Sequence, residues 1–583
     1  MKNLKGILGL SILMIAILSC QKESIITSER LDTLTITKPV AKPVTTPTTP
    51  KDTTKIPTIP TIPVSVNTVT IDPNGNDVTG NGSPALPWKT LYKACSATTL
   101  AGTTIHVKAG TYVETSTCSL AVGVSIVGDG ETSVIKSTVT GEWKPLLYLF
   151  SGTEGTNGNQ SISNLKFDGQ NTATGTAILV FARSNVSIHN CTFTNFFYHA
   201  INVYGHTDGT SGAPSAFGTN NMVYNNTITN CSDYQSGSGM YGSLSFGGQD
   251  GMLVYNNTIN CTGRAAGHNG GCIKMLCGDG YNKDVKIHDN VLTADPNVDA
   301  SSSNSWDFCI EHWNSLGGIE IYNNEIYNSQ VDLGGWNNTK GSSSYSVSLH
   351  DNIIGCTSLH SINEMAIIIE GTINNSDLLI YNNTIKNVNT GIVFYSTSGA
   401  TYNNIKIYYN VFDQIGIAKS GWNNTYAIGY SVSTPGSFTT DNWQIYNNVF
   451  NGCTYSGNSQ TSAISLWNSS SCTFTNMFIR NNIFTGWDYA AIRDASAGAI
   501  SNLRIENNDF YNNGNNNDPY MPVTPSQYTM QNNLKTDPLF LSTNDFHLQP
   551  SSKAIKAGIS VGILTDIVGR SIVSNPDMGA YQN

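Results

Sequence analysis

Two residues able to do chemistry stand in the same slot of neighbouring repeats. Lys274 follows Cys272-Ile273, and Glu311 follows Cys309-Ile310. An amine there could take a proton beside a uronate carboxylate, provided a positive group or Ca²⁺ neutralises that carboxylate. Lys274 would be the base, assisted by Arg264 or His268 from the loop Gly263-Arg-Ala-Ala-Gly-His-Asn-Gly-Gly271. A second chemistry needs two carboxyl groups at a set separation, to hydrolyse a glycosidic bond. Glu311 with Glu370, Asp307 or Asp332 could supply them. The same placement of Lys274 and Glu311 also fits a plain cross-strand ion pair. His312 alternates to the opposite face and reads as a core residue.

The element that must hold these residues is a repeat. Eleven segments share one phrase, among them Val223-Tyr-Asn-Asn226, Val254-Tyr-Asn-Asn257, Ile287-His-Asp-Asn290, Ile321-Tyr-Asn-Asn324, Leu349-His-Asp-Asn352 and Ile445-Tyr-Asn-Asn448. An apolar residue follows two positions later, as at Ile228, Ile326 and Phe450. Alternation of period two around an Asn predicts strand, turn, strand. Asn suits the turn because it tolerates the left-handed region and its amide bonds to nearby backbone. Units of this size, repeated along a chain, stack into a solenoid. The expected fold is all-β, a right-handed parallel β-helix with the Asn side chains laddered down its interior. About twelve coils at ~4.8 Å each would give a body roughly 55–60 Å long.

Each coil has a further strand, aligned on Ile178, Ile201, Leu244, Ile273, Ile310, Leu333, Ile367, Ile392, Ile428, Ile464 and Ile492. The residues after these would point outward. One outward column then reads Asn202, Ser245, Lys274, Glu311, Gly334, Ile368 and Val393. The next reads Tyr204, Gly247, Leu276, Trp313, Trp336, Glu370, Tyr395, Ser431 and Trp467. A solvent-facing row of Trp313, Trp336, Tyr395 and Trp467, with Glu370 among them, is a surface on which sugar rings could stack. The alternative is that loops fold back and bury these rings.

Only 12% of residues are charged and the formal charge is −10, which argues against a nucleic-acid partner, since that would need a basic stripe. Lys2 and Lys5 precede an apolar run, Ile7 to Leu18, that ends in Ile17-Leu-Ser-Cys20. This resembles the lipobox of bacterial lipoproteins, which implies lipidation at Cys20 and an outer-membrane or cell-surface location through a lipid anchor. Residues 21–65 are rich in Thr and Pro and read as an extended tether. Of twelve cysteines, Cys95 and Cys118 form one candidate pair and Cys272 and Cys309 another; for the latter a buried thiol ladder is the better fit.

Residues 66–140 carry Val69-Thr-Ile-Asp-Pro-Asn-Gly-Asn-Asp77, a short amphipathic helix with Leu91, Ala94 and Cys95 inward, and Val124-Ser-Ile-Val-Gly-Asp-Gly130. This segment resembles the N-terminal cap of pectate-lyase-like right-handed parallel β-helix proteins. Coils are expected over 141–515. Residues 516–583, with Thr536-Asp-Pro-Leu-Phe540, Ser551-Ser-Lys-Ala-Ile-Lys-Ala-Gly558 and Pro576-Asp-Met-Gly-Ala-Tyr581, resemble the C-terminal cap of secreted relatives. The polygalacturonase pattern is absent: His206-Thr-Asp-Gly209 and Gly267-His-Asn-Gly270 are partial echoes and no Asp-Asp pair occurs. The resemblance implies a polysaccharide partner and, first, a lyase acting on a uronate-containing glycan, with Ca²⁺ as the cofactor such a lyase could use. A glycoside hydrolase and a non-catalytic glycan-binding or adhesion protein are the alternatives.

Overall fold

The computed structural model describes residues 67–583 apart from short segments between strands, among them 264–269, 276–280, 296–306, 337–344, 358–364 and 417–424. Arg264, His268, Trp467, Cys20 and the tether lie outside the described residues, as do the side chains of Asp307 and Trp336.

Three long parallel sheets of sixteen, thirteen and fourteen strands run the length of the molecule. The chain visits them in turn. Lys286–His288 belongs to the first sheet, Val291–Ala294 to the third, Asp307–Ser315 to the second, and Ile319–Tyr322 returns to the first. The fold is a right-handed parallel β-helix. Apolar residues that alternate inward fill one continuous core, with Ile273, Ile310, Val331, Ile367 and Ile392 in register on the second sheet.

The repeated phrase does two jobs at one turn. Its third residue takes a positive φ, as at Asn225 (54°), Asn256 (53°), Asp289 (55°) and Asn323 (54°). Asn and Asp tolerate this region best among residues with a Cβ. The fourth residue points inward and is buried, from Asn226 through Asn257, Asn290, Asn324, Asn352, Asn383, Asn410, Asn448 and Asn482 to Asn508. Each donates its amide Nδ2 to the Oδ1 of the next at 2.9–3.2 Å. The same Oδ1 also accepts the backbone N–H of the preceding rung, as Asn383 does from Asn352 at 3.0 Å. A buried polar column is tolerated here because its members bond one another.

At the N-terminal end the helix Leu91–Ala97 buries Leu91, Ala94 and Cys95. Thr90 caps it by accepting from Lys93 N, and the buried Glu114 carboxylate accepts from Leu91 N at 2.7 Å. Cys95 and Cys118 are free thiols whose side chains are in hydrogen-bond contact. Cys272 and Cys309 are likewise free, buried and in contact. The C-terminal segment lies along the flank of late coils. Asn447 Nδ2 donates to Asp577 O at 3.0 Å, Asn481 Nδ2 to Ile559 O at 2.8 Å, and Asn507 Nδ2 to Ala557 O at 2.9 Å.

Candidate functional site

Lys274 and Glu311 are register neighbours on adjacent strands of the second sheet. Their side chains form an ion pair that is almost buried, at 13% and 4% exposure. The Lys274 ammonium also lies 5.6 Å from the centre of the Phe308 ring. Its charge is therefore engaged from two sides, which is the cross-strand pairing foreseen as an alternative.

The next strand corrects the expected alignment. Ile310 pairs with Val331, so Glu311 pairs with Asp332 and Trp313 with Gly334. The register shifts between Phe308 and Ile310 at a β-bulge. Val331 and Leu333 are both inward and apolar, and Val331 is the one that continues the column. The first outward column is thus Asn202, Ser245, Lys274, Glu311, Asp332, Ile368 and Val393. Trp336 falls outside the aromatic column, its backbone paired with Ser315.

This column points outward from the sheet, yet Asn202, Ser245, Glu311, Asp332, Ile368 and Val393 are all buried. The Trp313 ring sits so close over Gly334 that a Cβ there would meet it at 2.7 Å. Trp313, Glu370 and Tyr395 keep part of their surface. His312 lies in the core, as expected, and burial pushes its imidazole down to about 4.

Glu370 pairs with Gly334, one strand over and two residues along from Asp332. Among the described residues, three carboxyl groups, Glu311, Asp332 and Glu370, thus share one patch with the single ammonium of Lys274. Asp332 is held well above the ordinary carboxyl range by burial, then by the negative charges of Glu370 and Glu311. Glu370 is also raised, by burial and by Glu311. The Oδ1 atom of Asp332 accepts no hydrogen bond among the described residues. Carboxyl groups that differ in burial, Asp332 the more and Glu370 the less, are the kind of neighbours whose environments can separate an acid from a base. Among the described residues, no group of three His, Cys, Asp or Glu side chains is arranged to hold a metal ion.

One feature of the exterior went unread in the sequence. Nine rings on the first sheet stack face to face: His189, Tyr224, Tyr255, His288, Tyr322, His350, Tyr381, Tyr408 and Tyr446. Centroids are 4.5–5.1 Å apart and planes within 14°. The signal was the second residue of the repeated phrase, Tyr or His in these coils. The rings present their edges outward because their faces are taken by one another.

No family model and no curated protein matches the chain. Among solved structures it is similar to PfbA, a surface adhesin of Streptococcus pneumoniae, at 14% identity and a TM-score of 0.38, over 58% of this chain and 83% of that one. It is similar to the Agl-KA catalytic domain at 14% identity and a TM-score of 0.42, over 61% and 60% of the two chains. It is also similar to the tailspike protein of E. coli bacteriophage HK620, in complex with a pentasaccharide, at 13% identity and a TM-score of 0.40 over 74% of each. None of these likenesses assigns a role to a residue.

Proposed function

We propose that the protein cleaves a polysaccharide by hydrolysis, at the patch formed by Glu311, Asp332 and Glu370. The observation that carries this reading is the clustering of Glu311, Asp332 and Glu370 on neighbouring strands, with the Asp332 carboxyl buried and raised by burial and by the other two. A protonated acid can give its proton to the leaving glycosidic oxygen, and Glu370, the more exposed neighbour, can act as the base or nucleophile. Trp313 and Tyr395, outward and partly exposed on either side of Glu370, would carry sugar rings.

The elimination reading ranks second. It asks Lys274 for a free amine, and Glu311 already engages that amine. It also asks for positive charge against a uronate, whereas the described patch carries more carboxyl groups than ammonium groups. Anchoring through a lipidated Cys20 belongs to the same proposal, and the mass of the mature N-terminal peptide tests it.

The test is product analysis after incubation with plant, algal and bacterial polysaccharides. Saturated fragments support hydrolysis. Fragments with an unsaturated terminal ring would move the chemistry to Lys274. No fragments from any polymer, with binding retained, would leave a glycan-binding protein.

A further inference from the structure

The C-terminal segment meets the coils along a seam, and the sequence departs from its own repeat where the seam forms. Position 409 is Tyr where the repeat has Asn or Asp, yet it keeps the positive φ, 52°. A bulky residue in that region is strained. Tyr409 is buried there against Val411, Val449, Phe546 and Ala580, which offsets the strain. The seam is therefore built into the sequence of both partners.

A cavity of about 410 Å³ opens along it. One wall is the outer face of the third sheet, with Lys386, Asp413 and Gln414 from strands Thr384–Val388 and Val411–Ile415. The other is the C-terminal segment, with Asn544, Phe546 and Tyr581. Lys386 and Asp413 are register neighbours, and one Asp413 carboxyl oxygen accepts from Asn451 Nδ2 at 2.7 Å. The Tyr581 ring packs against His547 with centroids 4.1 Å apart.

We propose that this seam is a second carbohydrate site, taking one or two neutral pyranose rings. The volume falls within the ~300–1,000 Å³ of small-molecule sites. A sugar has an apolar C–H face and a rim of hydroxyls. Phe546 and Tyr581 suit the former, while an ammonium, a carboxyl and amide side chains supply donors and acceptors for the latter. One Lys against one Asp gives the lining no net charge, so nothing in it selects a uronate or a phosphate. The site lies on the third sheet, whereas Asp332 lies on the second. It rests on the reading above for the class of ligand only, not for cleavage.

The test is calorimetric titration of the full chain with cellohexaose, maltohexaose, laminarihexaose and a hexauronate. It is run on the wild type and on Asp332→Asn, which stops the proposed turnover. The expected result is that at least one neutral hexamer binds both proteins alike. Lys386→Met and Asn544→Ala should each weaken that binding about tenfold, a change of about 1.4 kcal/mol, and leave cleavage of short fragments unchanged. Asn544 is exposed, so its truncation does not threaten folding. The proposal is overturned if no neutral hexamer binds, if binding ignores both seam variants, or if the hexauronate binds more tightly. Binding lost in the seam variants from a protein that cleaves nothing would sink hydrolysis and keep the seam site; cleavage without seam binding would do the reverse.

Discussion

Replacing Asn383 by Ala should be among the costliest single changes in the coils. Its Oδ1 accepts from Asn352 N and from Asn352 Nδ2, both at 3.0 Å. Its Nδ2 donates to Leu349 O at 2.9 Å, to Tyr381 O at 3.0 Å and to Asn410 Oδ1 at 2.9 Å. Truncation orphans the buried Asn352 N–H, a penalty of about 1–3 kcal/mol, and removes further bonds worth about 0.5–1.5 kcal/mol each. The expected loss is about 3–9 kcal/mol. The neighbouring Asn382 has φ 55° and is half-exposed. Asn382→Ala meets the left-handed penalty, about 1–2 kcal/mol, and loses one exposed hydrogen bond, from Asn382 Nδ2 to Asp351 Oδ1 at 3.2 Å. Equilibrium urea denaturation of both variants, followed by far-UV circular dichroism, compares them. The reasoning fails if Asn383→Ala costs less than Asn382→Ala, because the interior ladder would then contribute less than the turn conformation beside it.

Three other outcomes follow from the same geometry. Tyr322 stacks on His288 at 4.7 Å and on His350 at 5.1 Å. Tyr322→Ala should therefore lower stability by about 1–3 kcal/mol from lost stacking, beyond the area term, and an unchanged urea midpoint would count against the stack. Burial pushes the Asp509 carboxyl up from 3.8 to about 6. The folded chain then binds the proton more tightly than the unfolded one, so this group's contribution falls as pH rises from about 4 to about 6, by about 3 kcal/mol in all. Asp509→Asn should remove that slope and stabilise the protein at pH 7; a variant with the wild-type slope contradicts the assignment. Gly334→Ala should displace the Trp313 ring, whose atoms lie 2.7 Å from where the new Cβ would stand, and should quench or shift tryptophan emission without unfolding the coils.

The coil was legible because one residue type solves two problems at each turn, a positive φ and a buried polar ladder, and so recurs at a fixed place. The neighbourhood of Lys274 and Glu311 was legible because Cys-Ile precedes both. Asp332 was among the possible carboxyl partners of Glu311, but Gly334 was aligned beside Glu311 in its place, for a local reason. A bulge in strand Asp307–Ser315 and two successive inward apolar residues, Val331 and Leu333, allow two alignments that differ by one full alternation, and a period-two pattern cannot choose between them. Burial of the outward column was also hidden, because alternation tells which side a residue faces and not what covers that side. Ile368 and Val393 in outward positions were the available hint. The aromatic stack was visible letter by letter, but only the strand register shows that the Tyr and His rings meet.

The most direct measurement is cleavage in heavy-oxygen water, with products weighed by mass spectrometry, for the wild type and Asp332→Asn. Hydrolysis at this patch predicts, from the wild type, saturated fragments with one heavy oxygen at each newly formed reducing end and an unlabelled leaving-group fragment, and essentially no fragments from Asp332→Asn. Unlabelled fragments with an unsaturated end, or labelled fragments formed as fast by Asp332→Asn as by the wild type, would contradict the account.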